Sequence, residues 1–212
     1  MKIIKMIAKD EIEKYGQNTY LVVKGSDAIM IDASVSPNEI QKNLMMFSQK
    51  PKLKAIFLTH AHFDHIFYLK DLAEKFECPV FINKFSKDIL KNKNKNLSIL
   101  LDNPFEIKDL YFKEFGDGDE MTIGDISVKC YLTPGHSMDS SVFVVEDNMF
   151  TGDTVFKNSI GRTDLVGGDK SKLEISLERI KNELSLDINT FYPGHDENFS
   201  KDNLASVVDY YC

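Results

Sequence analysis

The chain has 212 residues, 42% hydrophobic and 28% charged, enough for a sizeable core and read as a single domain over residues 1–212. Its formal net charge of -7 argues against the basic face of a nucleic-acid binder, and no run reaches the roughly 18 to 20 apolar residues of a membrane-spanning helix. Three scattered cysteines, Cys78, Cys130 and Cys212, and an N-terminal apolar run broken by Lys5 and Lys9 predict a cytoplasmic protein with neither a disulfide framework nor a signal peptide.

In chain order, Ile3–Ala8, Thr19–Val23 and Ala28–Ile31 read as short strands separated by turn residues such as Gly25-Ser26-Asp27. Ser36-Pro37 opens a helix to about Ser48, with proline at a favoured first-turn position. Lys54–Leu58 is a strongly apolar strand ending at Thr59-His60; helical spacing follows from Ile66 to Phe76, then a strand at Pro79–Ile82. The low-complexity run Lys91–Asn96 cannot bury a face and reads as a solvated loop, or as a mobile lid whose lysines steer an anionic substrate. Strands are expected at Ile126–Leu132, Ser141–Val145, Asn148–Thr151 and Thr190–Tyr192, and helices over Leu173–Leu184 and Lys201–Tyr210. Strands interleaved with amphipathic helices predict an α/β fold with helices outside a sheet-based core. Cys78 and Cys130 lie in or beside apolar runs and are expected to be buried structural thiols.

The chain contains five histidines, and three fall in His60-Ala61-His62-Phe63-Asp64-His65, directly after an apolar strand. A strand end fixes the backbone while the following loop frees the side chains, so ligands are often presented there. His136 follows Leu132-Thr133-Pro134-Gly135, His195 follows Phe191-Tyr192-Pro193-Gly194, and Asp153 follows Phe150-Thr151-Gly152. Each Pro-Gly ends a strand and re-aims the next side chain. Three imidazoles and a carboxylate in one tight loop exceed what a single tetrahedral ion takes from so short a segment, which predicts two metal ions.

The pattern HxHxDH, followed by a later His, Asp and His, resembles the metallo-β-lactamase superfamily over nearly the whole chain. The resemblance implies a four-layer αββα sandwich and two divalent ions, zinc first, with iron or manganese as alternatives. It implies that His60, His62 and His136 hold one ion, that Asp64, His65 and His195 hold the other, and that Asp153 bridges them. It marks Asp64 and Asp153 as catalytic, and it gives Asp32 the role of an outer acid supporting the metal loop. Gly161-Arg162-Thr163-Asp164-Leu165 resembles the glyoxalase II-like branch, which hydrolyses hydroxyacyl thioesters, and the related persulfide dioxygenases. Read by itself, that segment is a turn closed by an Arg162–Asp164 pair or a substrate-side contact.

Four features depart from the family pattern. Phe67 and Tyr68 stand where glycines are common, predicting a bulkier wall, and Asp139 and Asp196 also occupy glycine positions. Only Asp196–Cys212 follow the last histidine, so the helical domain that holds much of the glutathione site in glyoxalase II has no counterpart in this sequence. The resemblance implies a hydrolase of small-molecule thioesters whose nucleophile is a metal-bridging hydroxide, since coordination lowers the pKa of water from about 15.7 towards about 7. The rival readings are a single-iron persulfide dioxygenase using His60, His136 and Asp153, a lactonase or phosphodiesterase on the same fold, and a non-catalytic metal sensor.

Overall fold

Strands with nearly continuous apolar runs need cover on both faces, and the first half of the chain folds accordingly. The computed structural model describes residues 1–8 and 12–212; Lys9, which interrupts the N-terminal apolar run, lies outside the described residues. β1 (Lys2–Ile7), β2 (Asn18–Lys24), β3 (Asp27–Ile31), β4 (Lys52–Phe57), β5 (Val80–Asn83) and β6 (Phe112–Phe115) form a six-stranded sheet in that order. β1–β2 and β2–β3 are antiparallel, and the later pairs are parallel. Side chains alternate between faces. Tyr20, Val22, Ile29, Ile31 and Phe57 join one apolar cluster, while Leu21, Val23, Met30, Ile56 and Leu58 join another.

A second sheet contains β7 (Glu120–Ile123), β8 (Ile126–Leu132), β9 (Ser141–Val145), β10 (Asn148–Gly152) and β11 (Thr190–Pro193), ordered β11-β10-β9-β8-β7. Its inward residues Val128, Cys130, Phe143 and Phe150 meet the first sheet's Phe57 and Phe81 in the inter-sheet layer. The outer face of the first sheet is covered by α1 (Pro37–Met45), through Ile40 and Leu44, and by α3 (Leu69–Phe76), through Leu69 and Leu72. The outer face of the second is covered by α5 (Lys170–Arg179), a π-helical turn at Ile180–Leu184, and α6 (Lys201–Tyr211). These are the four layers of an αββα sandwich. Among the described residues, no helix is long and apolar enough to cross a membrane.

The helix expected over Ile66–Phe76 divides into α2 (Phe63–Ile66) and α3, parted at Tyr68, whose φ of -103° and ψ of 12° leave the helical region. The bulk of Phe67 does not line the cleft: its ring packs edge-on to Phe105, with centroids 5.8 Å apart. Cys78 and Cys130 are buried and free, and Cys212 is exposed.

β4, β8, β10 and β11 end on one rim of the sandwich. There the sheets are tied by Ser141 N donating to Thr59 O (2.9 Å) and Asn18 N to Gly194 O (2.6 Å), while Gly194 N donates to Gly152 O (2.8 Å) within the second sheet.

Candidate metal centre

All seven predicted side chains converge on this rim. His60 and His62 come from the loop after β4, Asp64 and His65 from α2, His136 from the loop after β8, Asp153 from the end of β10 and His195 from the turn after β11. His62 Nδ1 lies 3.1 Å from His60 Nε2 and 3.0 Å from His136 Nε2. Asp64, His65 and His195 form a second triad: His195 Nε2 is 3.3 Å and His65 Nε2 is 4.0 Å from Asp64 Oδ2. Asp153 stands between the two, with Oδ1 3.3 Å from His65 Nε2, and Oδ2 3.4 Å from His195 Nε2 and 3.6 Å from His136 Nε2.

Three of the rings are oriented through their other nitrogen. His65 Nδ1 lies 2.8 Å from Asp32 Oδ2, leaving Nε2 to face the centre. His136 Nδ1 donates to the backbone carbonyl of Arg162 at 2.9 Å, and His60 Nδ1 lies 3.2 Å from Thr59 Oγ1. Asp32 also accepts from the Thr59 backbone N at 2.8 Å and from its hydroxyl at 2.9 Å, so one buried carboxylate fixes both the start of the metal loop and one of its rings.

Two observations test whether the centre suits metal. His65 Nε2 and Asp153 Oδ1 are buried without a hydrogen bond, although buried polar atoms normally have partners. Gly194 leaves room for the carboxylate: a Cβ there would sit 2.1 Å from Asp153 Oδ1 and 2.7 Å from His65 Cε1. The donors, five imidazoles and two carboxylates, suit zinc, iron or manganese. The residues fit two divalent ions.

Burial, reinforced by the neighbouring imidazoles, holds His60 well below the usual histidine range. Burial and His136 bring His62 down to about 3. Both rings therefore present free lone pairs. Burial also opposes charge on His65 and His195, but the carboxylates outweigh it. Asp153, Asp32 and Asp64 raise His65 well above its ordinary value, and Asp153 with Asp64 raises His195 to about 10. Asp153 is depressed well below the carboxylate range: burial works against this, and the charges of His195 and His65 prevail.

Among the described residues, the Arg162 side chain pairs with Asp164 and with no group of the centre: Nε and Nη2 donate to the two carboxylate oxygens at 2.7 and 2.6 Å, both residues being exposed. Its backbone serves the centre instead, through His136. Asp196 adopts φ 64°, the left-handed region where glycine is common and Asp is tolerated, which accounts for that departure from the family pattern.

Two supports were not read from the sequence as such. Asp139 is fully buried and accepts from Ser86 Oγ and Ser137 Oγ, each at 2.7 Å; burial pushes its carboxyl above the usual range despite these donors. Asn96 ends the Lys-Asn run and is buried. Its carbonyl accepts from Phe63 N at 2.7 Å, directly after His62, and its side chain bonds Ser98 N and Phe105 O. The run thus buttresses the metal loop. Lys95 pairs with Asp88, and none of Lys91, Lys93 and Lys95 lines the cleft.

A cleft of about 470 Å³ opens over Asp64, Asp153, His62, His136 and His195. A larger groove of about 710 Å³ runs between α1, α3 and the starts of β4 and β5, and holds no histidine.

Comparison with known proteins gives a consistent result. The family model of the metallo-beta-lactamase superfamily matches residues 12–195. Over 184 residues the chain is 32% identical to the "Probable polyketide biosynthesis zinc-dependent hydrolase PksB" of Bacillus subtilis, covering 87% of this chain and 73% of that protein. It is 35% identical over 202 residues to the "Probable metallo-hydrolase MJ0888" of Methanocaldococcus jannaschii, covering 91% and 93%. The crystal structure of the BLEG-1 B3 metallo-beta-lactamase superposes with a TM-score of 0.84 at 25% identity, covering 99% of each chain.

Proposed function

The chain belongs to the metallo-beta-lactamase superfamily, and from that premise we propose that it is a metal-dependent hydrolase acting on hydroxyacyl and related thioesters, in the manner of the glyoxalase II-like branch. The observation that carries the hydrolase reading is the pair of triads sharing one carboxylate, which fits a two-ion hydrolytic centre. His60, His62 and His136 would hold one ion, and Asp64, His65 and His195 the other, with Asp153 serving both. Zinc is the first choice, in keeping with the zinc-dependent B. subtilis relative. When bound, two such ions supply an activated water near neutral pH and Lewis-acid polarisation of a carbonyl.

The protein's own contribution is positional. Asp32, Thr59 and the Arg162 carbonyl fix three rings before substrate arrives, so little reorganisation remains for the reaction. Thioesters suit such a centre because a departing thiolate, with a thiol pKa of about 8.5, needs little help from a protein acid.

A persulfide dioxygenase needs one ion on His60, His136 and Asp153; the second triad around His195 favours the two-ion reading. The test is elemental analysis of protein purified without added metal, paired with hydrolysis of a lactoyl thioester. We expect close to two ions per chain and metal-dependent thiol release. One iron at saturation, with dioxygen consumption and no thiol release, overturns the proposal.

A further inference from the structure

The walls of the cleft have a chemical bias that the metal centre does not require. Apart from the metal-facing groups, its lining is mainly apolar: Phe63, Leu97, Leu100, Phe156, Ile160 and Leu165. Tyr15 also lines it and packs edge-on against Phe63, with ring centroids 4.8 Å apart. Leu100 is 68% exposed. Val166, beside the wall residue Leu165, and Met138, two residues after His136, are also exposed large apolar side chains. Apolar groups left open on the lip of a cleft mark a surface that a ligand covers.

The charges of the lining run the other way. Among the described residues, its one Lys or Arg side chain is Arg162, whose fork is occupied by both oxygens of Asp164. Asp196 adds a carboxylate to those of Asp64 and Asp153. Among the described residues that line the cleft, a carrier bearing free carboxylates, such as glutathione, meets no unpaired cation.

Resting on the thioester reading above, we infer that the cleft selects its substrate by an apolar acyl chain, aliphatic or aryl, and does not grip an anionic thiol carrier. The acyl chain lies along Phe63, Leu97, Leu100 and Ile160 while the carbonyl faces the metal-binding side chains. Water adds to the carbonyl carbon, the C–S bond breaks with its electron pair going to sulfur, one proton of the water ends on the thiol and the other is released to solvent, and the products are a carboxylate and a thiol, with no net redox change.

The experiment has two independent arms. In the first, the metal-loaded full chain hydrolyses straight-chain thioesters from acetyl to octanoyl on N-acetylcysteamine, and the same acyl groups on glutathione. We expect kcat/KM to rise about fourfold per methylene until the cleft is filled, equivalent to about 0.8 kcal/mol each, with no preference for the glutathione ester. L100K, a change at an exposed position that leaves the core intact, should lower the octanoyl-to-acetyl ratio by at least about fourfold, one methylene's worth. In the second arm, calorimetry measures binding of the corresponding non-hydrolysable thioethers to metal-free protein, and affinity should rise with chain length. Length-dependent binding without hydrolysis of any thioester sinks the thioesterase reading and leaves the apolar cleft standing. Hydrolysis that is flat with chain length, or a glutathione preference above about tenfold, 1.36 kcal/mol, overturns this inference and leaves the thioesterase reading intact.

Discussion

Asp32 and Gly194 act on the same histidine from opposite sides. Asp32 holds His65 by Nδ1, and Gly194 clears the space next to its Cε1. In D32A the ring loses its orienting partner, and metal affinity should fall by about 10- to 100-fold, read by chelator competition while circular dichroism remains native. In G194A the new methyl group would displace the Asp153 carboxylate, so elemental analysis should show fewer ions than in the wild type. The pH dependence follows from His195. Its pKa, raised to about 10 by carboxylates that overcome burial, keeps it charged in metal-free protein at pH 7. The charged ring stabilises that state fully below its unfolded pKa of about 6.5, and the contribution is lost as pH rises through about 10. Metal takes the neutral ring, so loading at pH 7 should release protons and metal affinity should rise with pH. Calorimetry in two buffers of different ionisation enthalpy checks this; no proton release would contradict it.

Among the elements, the strands that end in ligands were legible because their apolar runs are dense and their terminal residues chemically distinctive. β6 and β7 were not. Lys113 and Glu114 in β6, and Glu120 and Thr122 in β7, are exposed, so neither strand carries a full apolar stripe. The five-residue α4 (Ser86–Leu90) is too short for helical periodicity to register. α5 begins before its first apolar residue, Leu173, under an Asp169 cap that accepts from Lys172 N at 3.1 Å. The ligand positions could be located from local spacing, but the buttressing by Asn96 and Asp139 arises from contacts across the fold, which spacing does not encode. N96A should leave Ser98 N without its buried acceptor and cost about 1–3 kcal/mol, measured by urea denaturation. Cys130 faces Phe143 across β8 and β9 in the inter-sheet layer. C130A should cost about 1 kcal/mol of packing with metal content unchanged, and an emptied centre in that variant would refute the ligand assignment.

At the scale of the whole molecule, the two halves meet at the metal centre, with His60, His62, Asp64 and His65 following strands of one sheet, and His136, Asp153 and His195 following strands of the other. Ions held there would tie both sheets together. Free metal at a thousandfold excess over Kd adds about 4 kcal/mol to the folded state, so chelation should lower Tm and speed amide exchange at Ser141, whose N–H spans the sheets to Thr59. The connection between Asp153 and α5 also bears on how such a protein can diversify. Its first part is anchored: a Cβ on Gly161 would lie 1.9 Å from the Asp153 carbonyl oxygen, and the Arg162 carbonyl holds His136. Thr163–Gly168 includes the wall residue Leu165 and carries none of the seven metal-facing side chains. A graft exchanging only Thr163–Gly168 should therefore alter substrate choice at constant metal content, whereas one that also replaces Gly161-Arg162 should release the ion served by His136.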